Sequence, residues 1–109
     1  MNSLNSLIIE GVVKGEPHYI EEAGVLNFTI ETTRYYKNKE GELITESSQF
    51  KVVCFGPMAK LSLKEGKNLR IVGRLNLSKW VSDGVTHSEV QIIAEHVEIR
   101  RGDENGKEG

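Results

Sequence analysis

Five β-rich segments separated by turn signals run through this chain, with one short helical signal among them. That order limits the fold more than any other feature. Residues 7–13 are apolar and rich in β-branched side chains. Residues 25–33 alternate, placing Leu26, Phe28 and Ile30 on one side and Asn27, Thr29 and Glu31 on the other. Residues 46–55, 68–80 and 85–99 complete the set. Between them lie Glu22-Ala23-Gly24, Asn38-Lys39-Glu40-Gly41 and Ser82-Asp83-Gly84, the last a strong hairpin marker because Asp-Gly accepts the positive φ that a tight β-turn needs.

The helical signal opens at Gly56-Pro57, with proline at a favoured first-turn position, and is expected to close at Glu65-Gly66, with glycine as the cap. Met58, Ala59, Leu61 and Leu63 give it an apolar side. Five strands with one short helix between the third and fourth is the order of the all-β OB-fold, a Greek-key barrel whose second and third strands and loops bind oligonucleotides. The 109 residues suffice for one core and not two. The expected division is a domain over residues 1–101 and a short, flexible acidic tail over residues 102–109.

No apolar run approaches the roughly 18 residues of a membrane span. The first residues show no basic stretch ahead of an apolar one, and Cys54 has no second cysteine to pair with, so a cytoplasmic protein is expected. The net charge of −2 at first argues against a polyanion partner. Of 14 basic and 16 acidic residues, however, the tail holds one and three, which leaves 13 of each in residues 1–101. The distribution of charge over the faces therefore matters more than its sum.

In the fourth segment, alternation places Arg70, Arg74 and the sole tryptophan, Trp80, on one side and Leu69, Ile71, Leu75 and Leu77 on the other. Guanidinium groups beside a large flat ring suit a strand of unpaired bases. In the third segment Gln49, Lys51, Val53 and Phe55 share a side, opposite Phe50, Val52 and Cys54. In the second, the side of Leu26, Phe28 and Ile30 runs on to Arg34 and Tyr36, so turning Tyr36 outward requires a bend. Arg34, Lys37, Lys39, Lys51, Arg70, Arg74 and Lys79 are the candidates for phosphate contact, about half of which are expected to serve. Plainer readings stand beside these: Trp80 as a lid on the core, Tyr35 and Tyr36 as β-formers in a half-buried strand, Phe55 as a barrel plug, Lys37 and Lys39 as a solvated loop.

Several pieces then align in order and spacing: Leu7-Ile8-Ile9-Glu10-Gly11, Leu26-Asn27-Phe28-Thr29-Ile30, Phe50-Lys51-Val52-Val53-Cys54-Phe55-Gly56, Val72-Gly73-Arg74-Leu75 and Lys79-Trp80. Through them residues 4–100 resemble the DNA-binding domain of the bacterial single-stranded DNA-binding proteins. The resemblance implies sequence-independent binding of single-stranded DNA in replication, repair and recombination, by a homotetramer. It implies base stacking on Trp80, on Tyr36 with Tyr35 beside it, and on Phe55. Gln49 stands where well-known members carry another stacking tryptophan, and it is expected to hydrogen-bond a base or sugar. The family's acidic, hydrophobic-tipped tail, which recruits genome-maintenance proteins, has no counterpart in residues 102–109, so such recruitment is in doubt.

Self-pairing through the first strand, from Leu4 to Val13, is the expected route to a dimer at least, and the resemblance extends it to a tetramer. The alternatives are a primosomal accessory protein of the PriB type, which shares the fold, acts as a dimer and lacks the tail, and an OB-fold that contacts only proteins. No catalytic site is expected. His18, His87 and His96 lie far apart with no zinc-ligand spacing, Cys54 reads as a buried structural thiol, and no phosphate-binding glycine loop occurs, so neither a metal nor a cofactor is expected.

Overall fold

The computed structural model describes residues 3–100. Strands β1 (Leu7–Ile20), β2 (Val25–Lys37), β3 (Leu43–Phe55), β4 (Asn68–Ser82) and β5 (Val85–Arg100) close into a barrel in the order β1-β2-β3-β5-β4. The neighbours are antiparallel except β3 and β5, which run parallel. This is the OB-fold topology. The expected tail, residues 102–109, lies outside the described residues.

The inward side of each strand supplies the core. Val13, Ile30, Val52, Cys54, Leu69, Ile71 and Ile92 are almost wholly withdrawn from solvent, with Leu26, Phe28 and Ala94 packed among them. Burial in this apolar setting pushes the Cys54 thiol up to about 11.

Strand β1 serves two neighbours in turn. Leu7 to Val12 pair with Gly73 to Asn68 of β4, and from Val12 onward the strand pairs with β2. The transfer depends on glycine at Gly11, where a Cβ would land on the carbonyl oxygen of Glu31. Beyond Val13 the sequence shows Gly15 and Pro17, which read as the end of a strand. They form instead an irregularity between Lys14 and His18 that lets β1 bend and continue to Ile20. This is why β1 runs seven residues past its expected end at residue 13.

The helix is much shorter than the expected 57–65. It is a single 3-10 element, Gly56–Lys60, and Leu61 is already extended. A helix of about ten residues is marginal without tertiary support. Here the support goes to a different arrangement: Ala59 and Leu63 enter the core, Gly66 N–H donates to the Val13 carbonyl at 2.9 Å, and Val13 N–H donates to the Lys67 carbonyl at 2.9 Å. Gly66, at φ +93°, thus turns the chain back against β1 rather than capping a helix.

The hairpins β2–β3 and β4–β5 extend past the barrel wall. Leu75 and Leu77 keep the inward parity of Leu69 and Ile71 but are 48% and 54% exposed, because the hairpin carries them beyond the core. Asp83 and Gly84 both have positive φ, as a two-residue turn of this kind requires, and the turn sets Trp80 opposite His87. At the other tip, Asn38 Oδ1 accepts hydrogen bonds from the backbone N–H groups of Glu40 and Glu42 at 3.0 and 2.9 Å. That fixes the loop between Lys37 and Leu43.

Candidate nucleic-acid interface

The outer wall of β2, β3 and β5 is built by register. Across β2 and β3, Val25 stands opposite Phe55, Asn27 opposite Val53, Thr29 opposite Lys51, Glu31 opposite Gln49, and Tyr35 opposite Thr45. Directly opposed residues share a face, so Tyr35, Gln49, Lys51 and Phe55 belong to one surface. Lys51 is next to Gln91 and Val53 next to Ile93 on β5, which continues the surface to Arg74, opposite Ile93, and to Trp80. Phe55 is 48% exposed, Tyr35 67% and Trp80 46%, so none of the three rings is sealed in the core.

Trp80 stacks on His87, with ring centroids 5.5 Å apart and planes 18° from parallel. This holds the indole flat. Between the bend in β1 and strands β3 and β5 lies a cavity of about 280 Å³ lined by Lys14, His18, Asn27, Lys51, Glu89 and Gln91, among others. Asn27 Oδ1 is buried there without a hydrogen-bond partner. Lys14 and His18 join the surface only because β1 continues past residue 13. His87 was legible in principle, since the Asp83-Gly84 turn dictates its register with Trp80.

Other candidates fall elsewhere. The β2–β3 register is unbroken from Val25 to Lys37, so the bend needed to bring Tyr36 onto this face is absent. Tyr36 stays on the inward-parity side of the projecting hairpin, 38% exposed, with the Arg34 guanidinium 4.8 Å from its ring centre. Arg34 also pairs with Glu46 at 3.5 Å. Lys37 has the parity of Tyr35 at the hairpin end, and Lys39 is exposed in the loop beyond it. Lys79 lies on the opposite side of its hairpin from Trp80.

Arg70 shares the outward parity of Trp80 but not its neighbourhood. Ten residues of strand separate them, roughly 33 Å at the rise of an extended chain. Arg70 stands on the β1–β4–β5 wall, where its Nε donates to Glu10 Oε2 at 2.6 Å and Nη1 lies 3.7 Å from Glu98. The hydrogen bond from Arg70, with the nearby Arg100, holds the Glu10 carboxyl below its ordinary range, and Glu10 in turn raises Arg70. Arg74 contacts Glu95 at 3.2 Å. Among the described residues no group of three His, Cys, Asp or Glu side chains is placed to hold a metal ion, and no helix is long and apolar enough to cross a membrane.

Comparison with known proteins decides the family, because the model of the single-strand binding protein family matches residues 4–100. The chain belongs to the single-strand binding protein family. A single-stranded DNA-binding protein of Aquifex aeolicus is 35% identical over 102 residues, spanning 88% of this chain and 69% of that protein. Among solved structures, a Plasmodium falciparum SSB in complex with ssDNA superimposes with a TM-score of 0.78 at 19% identity, covering 92% of this chain and 97% of that one. The wild-type single-stranded DNA-binding protein of Thermus aquaticus gives 0.74 at 24% identity, covering 91% of this chain and 51% of that one. At such identities the structural likeness speaks for the fold.

Proposed function

We propose that this chain binds single-stranded DNA without regard to sequence and protects it during replication, repair and recombination. The reading is carried by one surface that combines three accessible aromatic rings, Trp80, Phe55 and Tyr35, with Lys51, Arg74 and Gln49 between them. Unpaired bases stack on such rings with little base preference, each contributing about 1–3 kcal/mol, while cations take the phosphates. The protein performs no covalent step in this role. Membership of the family supports the same reading.

The proposed assembly is a homotetramer built from dimers that pair through β1. Residues 7–11 pair with β4 along one edge, whereas pairing with β2 starts at Val12, and Ile8 is 70% exposed beside them. That leaves one edge of the segment facing outward, ready to add a copy of itself. The proposed setting is the cytoplasm, on exposed single strands of the nucleoid.

Titration with labelled poly-dT, read by Trp80 emission, tests the reading. Quenching with tight, salt-sensitive binding is expected. Absence of binding at low salt would leave an OB-fold that contacts only proteins. Sedimentation tests the assembly, and a dimer would favour the PriB-type role in replication restart.

A further inference from the structure

The cations at the centre of the proposed DNA surface already have carboxylate partners supplied by the barrel's register. Lys51 stands beside Gln91 on β5, and Glu89, two residues earlier on the same side, reaches Lys51 Nζ at 2.8 Å. Glu31 lies directly opposite Gln49, accepts a hydrogen bond from its Nε2 at 3.3 Å, and is 4.0 Å from Lys14. Strand pairing imposes these neighbours, so the carboxylates stay within reach of the cations even as the exposed side chains change rotamer. Three hairpin lysines differ: among the described residues Lys37, Lys39 and Lys79 have no ion-pair partner, although Arg34 on the same β2–β3 hairpin pairs with Glu46.

From this contrast we infer that Glu89 and Glu31 are built-in competitors of the DNA phosphates, which set the affinity of the surface below what its rings and cations would otherwise reach. The inference rests on the single-strand-binding reading. A strand is first caught by the free lysines Lys37 and Lys39 at the end of the β2–β3 hairpin. To reach Lys51 its phosphate must then take the place of Glu89, and to reach Lys14 or Gln49 that of Glu31. Each exchange trades one anionic partner for another, so the central cations contribute less than their number suggests. Glu89 is the stronger competitor of the two, since its contact with Lys51 is at full hydrogen-bond distance while the Glu31 contacts are long.

The exchange leaves a mark on salt dependence. Neutralising one phosphate of a single strand releases condensed cations with a slope of about 0.7 in log affinity against log salt. In the fraction of complexes where Glu89 keeps Lys51, that phosphate is not neutralised and the release is lost. Removing the charge of Glu89 restores the slope.

The test compares wild-type protein, Glu89→Gln, Lys51→Met and the double variant on a labelled dT oligomer over a range of salt, with thermal melts to confirm folding. Glu89→Gln is expected to bind about three- to tenfold tighter at moderate salt, from the lost competition and the lost repulsion of phosphate. Its salt slope is expected to steepen, by up to about 0.7. Most of the affinity gain and the steeper slope should be absent when Lys51 is Met, leaving only the part due to repulsion. An affinity for Glu89→Gln equal to or weaker than wild type, or a gain undiminished without Lys51, overturns the inference while leaving DNA binding intact. Failure of the wild-type protein to bind at low salt overturns the functional reading itself.

Discussion

Replacing Trp80 with alanine separates a ring that serves a ligand from one that serves the fold. The indole is 46% exposed, with one face against His87, which leaves area for one stacked base. Losing that base costs about 1–3 kcal/mol, or roughly a 5- to 150-fold rise in Kd. The cost to folding is local. Trp80 is outside the core cluster, and its aromatic contact belongs to the β4–β5 hairpin. Such a pair contributes about 0.5–1.5 kcal/mol beyond its buried area. With the area of the half-buried indole added, the loss is about 1–3 kcal/mol, and at about 4–8 °C per kcal/mol for a domain near this size the melting point should fall by roughly 5–20 °C with the cooperative melt kept. Anisotropy titration of a labelled dT oligomer at 25 °C, with circular dichroism melts, measures both quantities, and Trp80→Phe should recover part of the affinity. An affinity within twofold of wild type would show that the ring only packs the hairpin, and loss of the cooperative melt would show that it belongs to the core. Either result refutes the reasoning.

Tyr35→Ala is expected to weaken binding of the same oligomer about five- to thirtyfold, as loss of a stacked base would, whereas Tyr36→Ala should change it less than about threefold. The reverse order would mean that DNA follows the other side of the hairpin. Glu10 has a folded-state pKa below its unfolded one, so its contribution is present above the ordinary glutamate range and lost as pH falls through the lowered folded value. Melts in that acidic window should therefore depend more weakly on pH in Glu10→Gln than in wild type. Cys54, wholly buried and with its thiol pushed up to about 11, should resist a disulfide reagent at neutral pH until the protein is unfolded.

Much of the barrel was legible from local pattern. Alternation in residues 25–33 marks Leu26, Phe28 and Ile30 as core, and the Asp83-Gly84 turn specifies the β4–β5 register, because both depend only on residues close in sequence. The parity of Gln49, Lys51, Val53 and Phe55 likewise held, with all four on the outer wall. Other features depended on contacts between distant segments. Gly15 and Pro17 resemble a strand terminator, yet pairing with β2 carries β1 past them and brings Lys14 and His18 to the surface. The expected helix yields to backbone hydrogen bonds that Val13 accepts from Gly66 N–H and donates to the Lys67 carbonyl, more than fifty residues away.

The charge pairing was the least legible. Lys51 and Glu89 are 38 residues apart in sequence, and barrel closure through the parallel β3–β5 contact makes them neighbours. Side-chain alternation and turn chemistry act within a few residues, so they specify which elements form and which side of each is apolar. Which charge meets which depends on how the sheet closes on itself, and only the assembled barrel settles that.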